Sequence, residues 1–217
     1  MGTIWLLRHG QTTANAQEVI QGPRIDAPLS ELGQRQADRL GDALAGEPLS
    51  AVYSSPLLRA RATADAVVTR HRGRDATARG QLAVQVVPDL YEVDYGRFIG
   101  QSVSAVRDEM DQVLDAWRLG FVDEPFPGGE SALVAQTRIR PFAQRLVEAA
   151  ADRHVAVVAH GRINRVLIAT LTGAGLTRLE DFPQSNACIN ELGVDGAVTV
   201  RRLNDTAHLG HVPDAFS

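Results

Sequence analysis

At 217 residues, with 44% apolar and 22% charged side chains and a net charge of −4, the chain is sized for one soluble domain with a sizeable core. The slight acidity offers no general pull toward nucleic acid or anionic lipid, and no apolar run nears the roughly 20 residues that span a bilayer. One cysteine, Cys188, excludes an internal disulfide and a cysteine-built zinc site, and with no basic, cleavable leader it sets the expectation of a cytoplasmic protein. All 22 basic residues are arginine, so lysine Schiff-base chemistry and a lysine-centred phosphate loop are excluded.

Thr3–Leu7 reads as a short buried strand that stops on Arg8-His9-Gly10. Ser30–Leu44 reads as a helix capped by Ser30, with Leu32, Leu40 and Leu44 on one face. Ala51–Tyr53 is a short strand, followed by a helix with Ser55 as N-cap and Pro56 in its first turn. Leu82–Val87 alternates as a strand before Pro88 ends it, and Ser102–Leu119 is helical. Ser131–Ala151 is helical with a break or kink expected at Pro141. Val155–Ala159 is a fully apolar strand of the buried kind and runs into His160-Gly161, with a helix over Gly161–Leu171. Cys188–Val194 and Ala197–Leu203 form an expected hairpin around Asp195-Gly196, and the tail from Asn204 to Ser217 is polar and unpatterned.

Strands alternating with helices predict a three-layer α/β/α sandwich with a mostly parallel central sheet, a single domain over residues 1–217. The stretch from about Gly96 to Gly129, with its "FVDEPFPGGE" run, breaks the rhythm and reads as a small lid insertion packed by Tyr95, Phe98, Phe121 and Phe126.

Two strands ending on a His-Gly pair is the chemical signal. Ligands of open α/β sheets sit where strands give way to helices. Glycine lets the backbone approach closely there, and helix N-termini favour an anion. Arg8 beside His9 makes that anion a phosphate, which guanidinium matches with two parallel hydrogen bonds. Arg59, one turn into its helix, is a second clamp, while Arg61 lies on another face. Glu92 follows a strand among aromatics, a setting expected to keep it partly desolvated and protonated, as a general acid requires. Glu18 and Asp94 compete for that role. His71, His154, His208 and His211 lack a surrounding motif and read as surface or packing residues.

Four segments in order, "LLRHGQTTAN", "SSPLLRARAT", "LYEVDYGRFIG" and "VVAHGRINRV", resemble the RHG-motif branch of the histidine phosphatase (phosphoglycerate-mutase-like) superfamily. The resemblance runs to about Leu203 and implies His9 as a nucleophile forming a phosphohistidine, Glu92 as proton donor, and Arg8, Asn15, Arg59 and His160 around the phosphate. Gln21, Gly22 and Gly161 are expected beside them. It implies a metal-independent phosphomonoesterase of a small phosphorylated metabolite, with no cofactor, no nucleic acid and no membrane partner; the C-terminal hairpin offers an edge for a homodimer. A bisphosphate-dependent mutase shares the same site, as would a non-catalytic phospho-ligand binder, which the filled nucleophile, clamp and acid positions disfavour. The mutase pattern has glutamate after RHG and asparagine after the second HG. Here Gln11 and Arg162 stand instead, the Glu92–His160 span is compact, and the lid offers only Arg97, Arg107 and Arg118. Arg162 is expected near the rim, favouring a substrate with a second anionic group.

Overall fold

The computed structural model describes residues 1–74 and 82–210. In chain order it contains β1 (Gly2–Arg8), α1 (Thr13–Ala16), α2 (Glu31–Leu44), β2 (Leu49–Ser54), α3 (Leu58–Arg74), β3 (Val84–Val86), α4 (Val103–Arg118), α5 (Ala132–Ala149), β4 (His154–Ala159), α6 (Gly161–Thr172), β5 (Ile189–Asp195) and β6 (Ala197–Asp205). The strands form one sheet in the order β3-β2-β4-β1-β5-β6. The first four are mutually parallel, β5 runs antiparallel to β1, and β6 pairs with it as the expected hairpin.

Alternation along the strands assigns the two faces. Ile4, Leu6, Val155 and Val157 join α4, α5 and α6 in one core, whereas Trp5, Leu7, Ala156 and Val158 face α2 and α3 in the other. Chain leaving β1 therefore passes to one face of the sheet and chain leaving β4 to the opposite face. That divergence opens a crevice between the ends of the two neighbouring strands. Because Arg8 is in register with Ala159, the next residues, His9 and His160, must fall side by side at its base.

Several local expectations change. Pro141 does not break α5: Thr137, the residue whose carbonyl loses its helical donor, faces solvent with Pro141 itself, while Ile139, Phe142, Ala143 and Leu146 hold the other face in the core. Ser55 is not the cap of α3, which starts three residues later; the Leu58 amide instead donates to both carboxylate oxygens of Asp26 at 2.9 and 3.0 Å. The polar tail is structured as far as a turn at Ala207–Leu209, and Leu209, 2% exposed, packs into the α2–α3 core. His211 and the rest of that tail lie outside the described residues. In the insertion, Phe98, Phe126 and Trp117 form a buried aromatic cluster continuous with the sheet core, but Phe121 is 63% exposed.

Gly10 serves helix packing more than ligand approach. A Cβ there would lie 2.5 Å from the Gly33 carbonyl oxygen, and one on Gly33 would lie 1.9 Å from that of Gln11. Neither backbone can yield without lifting α2 off the loop that follows β1. Gly33→Ala is therefore expected to lower stability by about 2 kcal/mol or more, read as a lower denaturant midpoint at unchanged m-value.

Candidate active site

Beyond β1, the His9 amide donates to the Ala159 carbonyl at 3.1 Å, tying the loop to β4. The His9 ring sits with Nδ1 2.7 Å from the Gly10 carbonyl oxygen. A carbonyl only accepts, so Nδ1 carries the proton and Nε2 is the bare nitrogen. Burial, then the charges of Arg59 and Arg8, hold His9 well below its ordinary pKa. The imidazole is thus neutral at neutral pH, the form that can attack phosphorus.

Arg59 is 1% exposed yet lines the cavity. Its Nη2 donates to the Gly22 carbonyl at 2.9 Å and its Nη1 to that of Ile25 at 3.2 Å, with Asp26 3.6 Å away. Its Nε donates to His160 Nδ1 at 3.1 Å. Three of the five guanidinium N–H groups are thereby fixed, which aims the others. Burial brings the group down to about 10, partly offset by Glu92 and Asp26, so it remains a cation. Gly22 adopts φ +57°, a left-handed conformation that glycine tolerates, and this turn presents its carbonyl to Arg59.

His160 stands differently from the expectation. It is fully buried behind Arg59, with ring centroid 5.1 Å from that of His9. Accepting at Nδ1 leaves the proton on Nε2, which donates to Ser55 Oγ at 2.7 Å. His160 therefore orients Arg59 through a bond that only its neutral form can accept; burial and Arg59 lower its pKa well below the ordinary value. Arg59, which can only donate, fixes this tautomer, and Ser55, read in the sequence as a cap, receives the Nε2 proton.

Arg8 is anchored through Nη1 by the Gln184 carbonyl, and its buried Nε has no partner among the described residues. Gly161 lies beside it: a Cβ there would come 3.5 Å from the guanidinium carbon. Asn15 closes a capping box with Thr12, its Oδ1 accepting from the Thr12 amide at 3.1 Å, and lines the cavity. Gln21 donates to Thr12 Oγ1 at 2.8 Å, and its buried Oε1 has no partner among the described residues. Gln11 turns away from the cavity, accepting from Ser30 Oγ at 2.8 Å at the start of α2.

Glu92 is buried near Tyr95 and is held by backbone amides. Its Oε1 accepts from the amides of Val93 and Ile163 at 2.8 and 3.0 Å, and its Oε2 from that of Arg162 at 3.1 Å. The N-terminus of α6 thus holds an internal carboxylate, and the amide of Gly10 is taken by Thr63 Oγ1 at 3.1 Å. The amides of Gly10, Arg162 and Ile163 are thus engaged inside the protein, so anion binding falls mainly to side chains. Of the other candidates, Asp94 pairs with Arg24 at 2.7 Å, while Glu18 lies at the cavity wall. Arg162 also reaches the wall, but it gives its Nη1 to Glu180 and a further hydrogen bond to the Tyr95 hydroxyl oxygen.

His9, Arg8, Asn15, Gln21, Gly22, Arg59 and Glu92 together line a cavity of about 220 Å³. Among the described residues no group of three His, Cys, Asp or Glu side chains could hold a metal ion, and no helix is long and apolar enough to cross a membrane.

This is the site of a phosphate-handling α/β protein. The sequence profile of the histidine phosphatase superfamily (branch 1) matches residues 4–206, and the chain belongs to that family. It is 30% identical over 215 residues to phosphoserine phosphatase 1 of Hydrogenobacter thermophilus, covering 97% of this chain and 95% of that one. A 2,3-bisphosphoglycerate-dependent phosphoglycerate mutase of Sinorhizobium fredii is 33% identical over 177 residues, 78% of this chain and 79% of its own. The structure of mycobacterial glucosyl-3-phosphoglycerate phosphatase in complex with VO3 superposes with a TM-score of 0.81 at 29% identity, covering 95% of this chain and 100% of that one.

Proposed function

We propose that the protein hydrolyses phosphomonoesters of small metabolites, without a metal, through a phosphohistidine on His9. One observation carries this reading: the Gly10 carbonyl pins the His9 proton on Nδ1, leaving Nε2 bare in a cavity shared with Arg8, Arg59 and Glu92. In the first step Nε2 attacks phosphorus as the bond to the leaving oxygen breaks, and Glu92 gives that oxygen its proton. In the second, water attacks the phosphohistidine while Glu92 takes its proton, and phosphate leaves with His9 neutral again. Oε1 of Glu92 accepts two amides and Oε2 one, so Oε2 is the oxygen with room to carry the travelling proton.

Arg8, Arg59 and Asn15 neutralise the phosphoryl oxygens; guanidinium charge supplies the electrostatic stabilisation that a metal provides elsewhere. Gln21 offers an amide at the same wall, Gly22 and His160 hold Arg59, and Gly161 leaves Arg8 its space. Close relatives on the same fold include phosphatases matched over nearly their whole length, which supports hydrolysis over the mutase alternative.

The test uses protein dialysed against EDTA, mixed with a phosphomonoester labelled in its phosphate, quenched within one turnover and mapped by peptide. Label on the His9 peptide, with water as final acceptor, is expected. An unlabelled peptide, or turnover that returns only with a divalent cation, refutes the reading. A companion change, Glu92→Gln, is expected to slow esters of poorly acidic alcohols by about 10²- to 10⁴-fold and phenolic esters far less. Equal slowing of both would remove Glu92 from the proton-donor role.

A further inference from the structure

Beyond the phosphate-facing residues, the cavity is walled by Val19 and Ile20 from the loop after α1 and by Val103 and Met110 from α4, with the Tyr95 ring beside them. This wall is built, not incidental. The Ile20 amide donates to the Gln101 carbonyl at 3.0 Å, the Gly100 amide to that of Ile20 at 2.8 Å, and the Val103 amide to that of Glu18 at 2.8 Å. Loop and helix are laced together, so the apolar surface is presented in fixed form where the group leaving phosphorus must sit.

Among the described residues, no cation beyond the phosphate-facing ones is spare within the cavity lining; outside the lining, Arg107 is exposed on α4 without an ion pair. Arg162, the only further arginine lining the cavity among the described residues, gives Nη1 to Glu180, whose other oxygen binds Arg165. Arg24 is held by Asp94, Arg97 by Glu109 and Arg118 by Asp115. Glu18, exposed in the same lining, has no ion pair among the described residues. A carboxylate or second phosphate on the substrate would lose water against Val103 and Met110 and meet Glu18 with no compensating partner. Tyr95, by contrast, can offer its hydroxyl to a neutral oxygen.

We infer that the preferred leaving group is an uncharged alcohol with an apolar face, and that esters bearing a carboxylate or second phosphate are the poorer substrates. This rests on the phosphatase reading above, and it reverses the sequence-based expectation for Arg162. The physical reason is Glu180, which lies 18 residues further along the chain and is brought onto Arg162 by the turn at Leu176–Asp181.

The experiment compares kcat/KM for 2-phenylethyl phosphate and 3-phosphoglycerate, both esters of primary alkyl alcohols, in the wild type and in Glu180→Gln. The wild type is expected to favour the neutral ester by about 10-fold or more. Releasing Arg162 in Glu180→Gln is expected to raise 3-phosphoglycerate about 5-fold while leaving the neutral ester within about twofold. Comparable rates in the wild type, a preference for the carboxylated ester, or no gain in the variant overturns the inference. Phosphate release with the wrong preference condemns only this inference, whereas absence of release from every ester tested condemns the phosphatase reading itself.

Discussion

His9→Ala is expected to abolish phosphate release, with a loss on the order of 10⁵-fold in kcat, the scale seen when a nucleophile is removed from an otherwise intact constellation. The size follows from what remains. Arg8, Asn15 and Arg59 still gather the phosphoryl group, but no bare imidazole nitrogen stands in line to accept it, and water would have to attack the ester in a single step. The three anchors of Arg59 on Gly22, Ile25 and His160 do not pass through His9, so the anion site should survive. Binding of inorganic phosphate to His9→Ala, measured by calorimetry, is therefore expected to stay within about tenfold of wild type. Retained binding with lost turnover assigns His9 to chemistry; joint loss would mean that the ring serves structure instead. Residual turnover above about one part in a hundred would refute covalent catalysis at this position.

Much of the site was open to reading from sequence because its chemistry is local. Arg8-His9 and His160 stand at strand ends whose apolar runs are unmistakable, and in the fold the long-range parallel pairing of β1 with β4 brings them together. What escaped reading depends on partners far apart in the chain. Asp26 caps α3, Ser55 accepts from His160 Nε2, and Glu92 docks on the first amides of α6, 70 residues downstream. Each is a hydrogen-bond assignment that only the folded geometry decides, since serine, aspartate and glutamate serve equally well as solvated surface residues. The glycine of RHG, Gly10, was misread for a related reason: its neighbour is the backbone of α2, a packing contact that no one-dimensional pattern displays. Pro141 shows the converse case, where a strong local signal yields to tertiary packing on the opposite helix face.

Acidification is expected to destabilise the ligand-free protein steeply below pH 6.5, before its carboxylates titrate. Both His9 and His160 are held neutral by burial and by Arg59, so their native pKa values lie well below 6.5, whereas in the unfolded chain they return to it. Below pH 6.5 the unfolded state therefore binds more protons than the native state, and stability must fall as pH falls. Each histidine contributes about 1.4 kcal/mol per pH unit until its own native value is reached, so the pair supplies a slope near 3 kcal/mol per unit. Each unit of that slope is a large fraction of the whole stability of many domains, about 5 kcal/mol at the low end. Urea unfolding at half-unit steps from pH 7.5 to 4.5 measures it, with the slope approaching two protons. His9→Ala should reduce the slope by about one proton, leaving His160 and His208, which burial also holds below its ordinary value, and inorganic phosphate should steepen the loss by binding the native site near neutrality. A free energy flat from pH 6.5 to 5 would mean that the imidazoles accept protons in the native fold, and Arg59 could then no longer be oriented by His160.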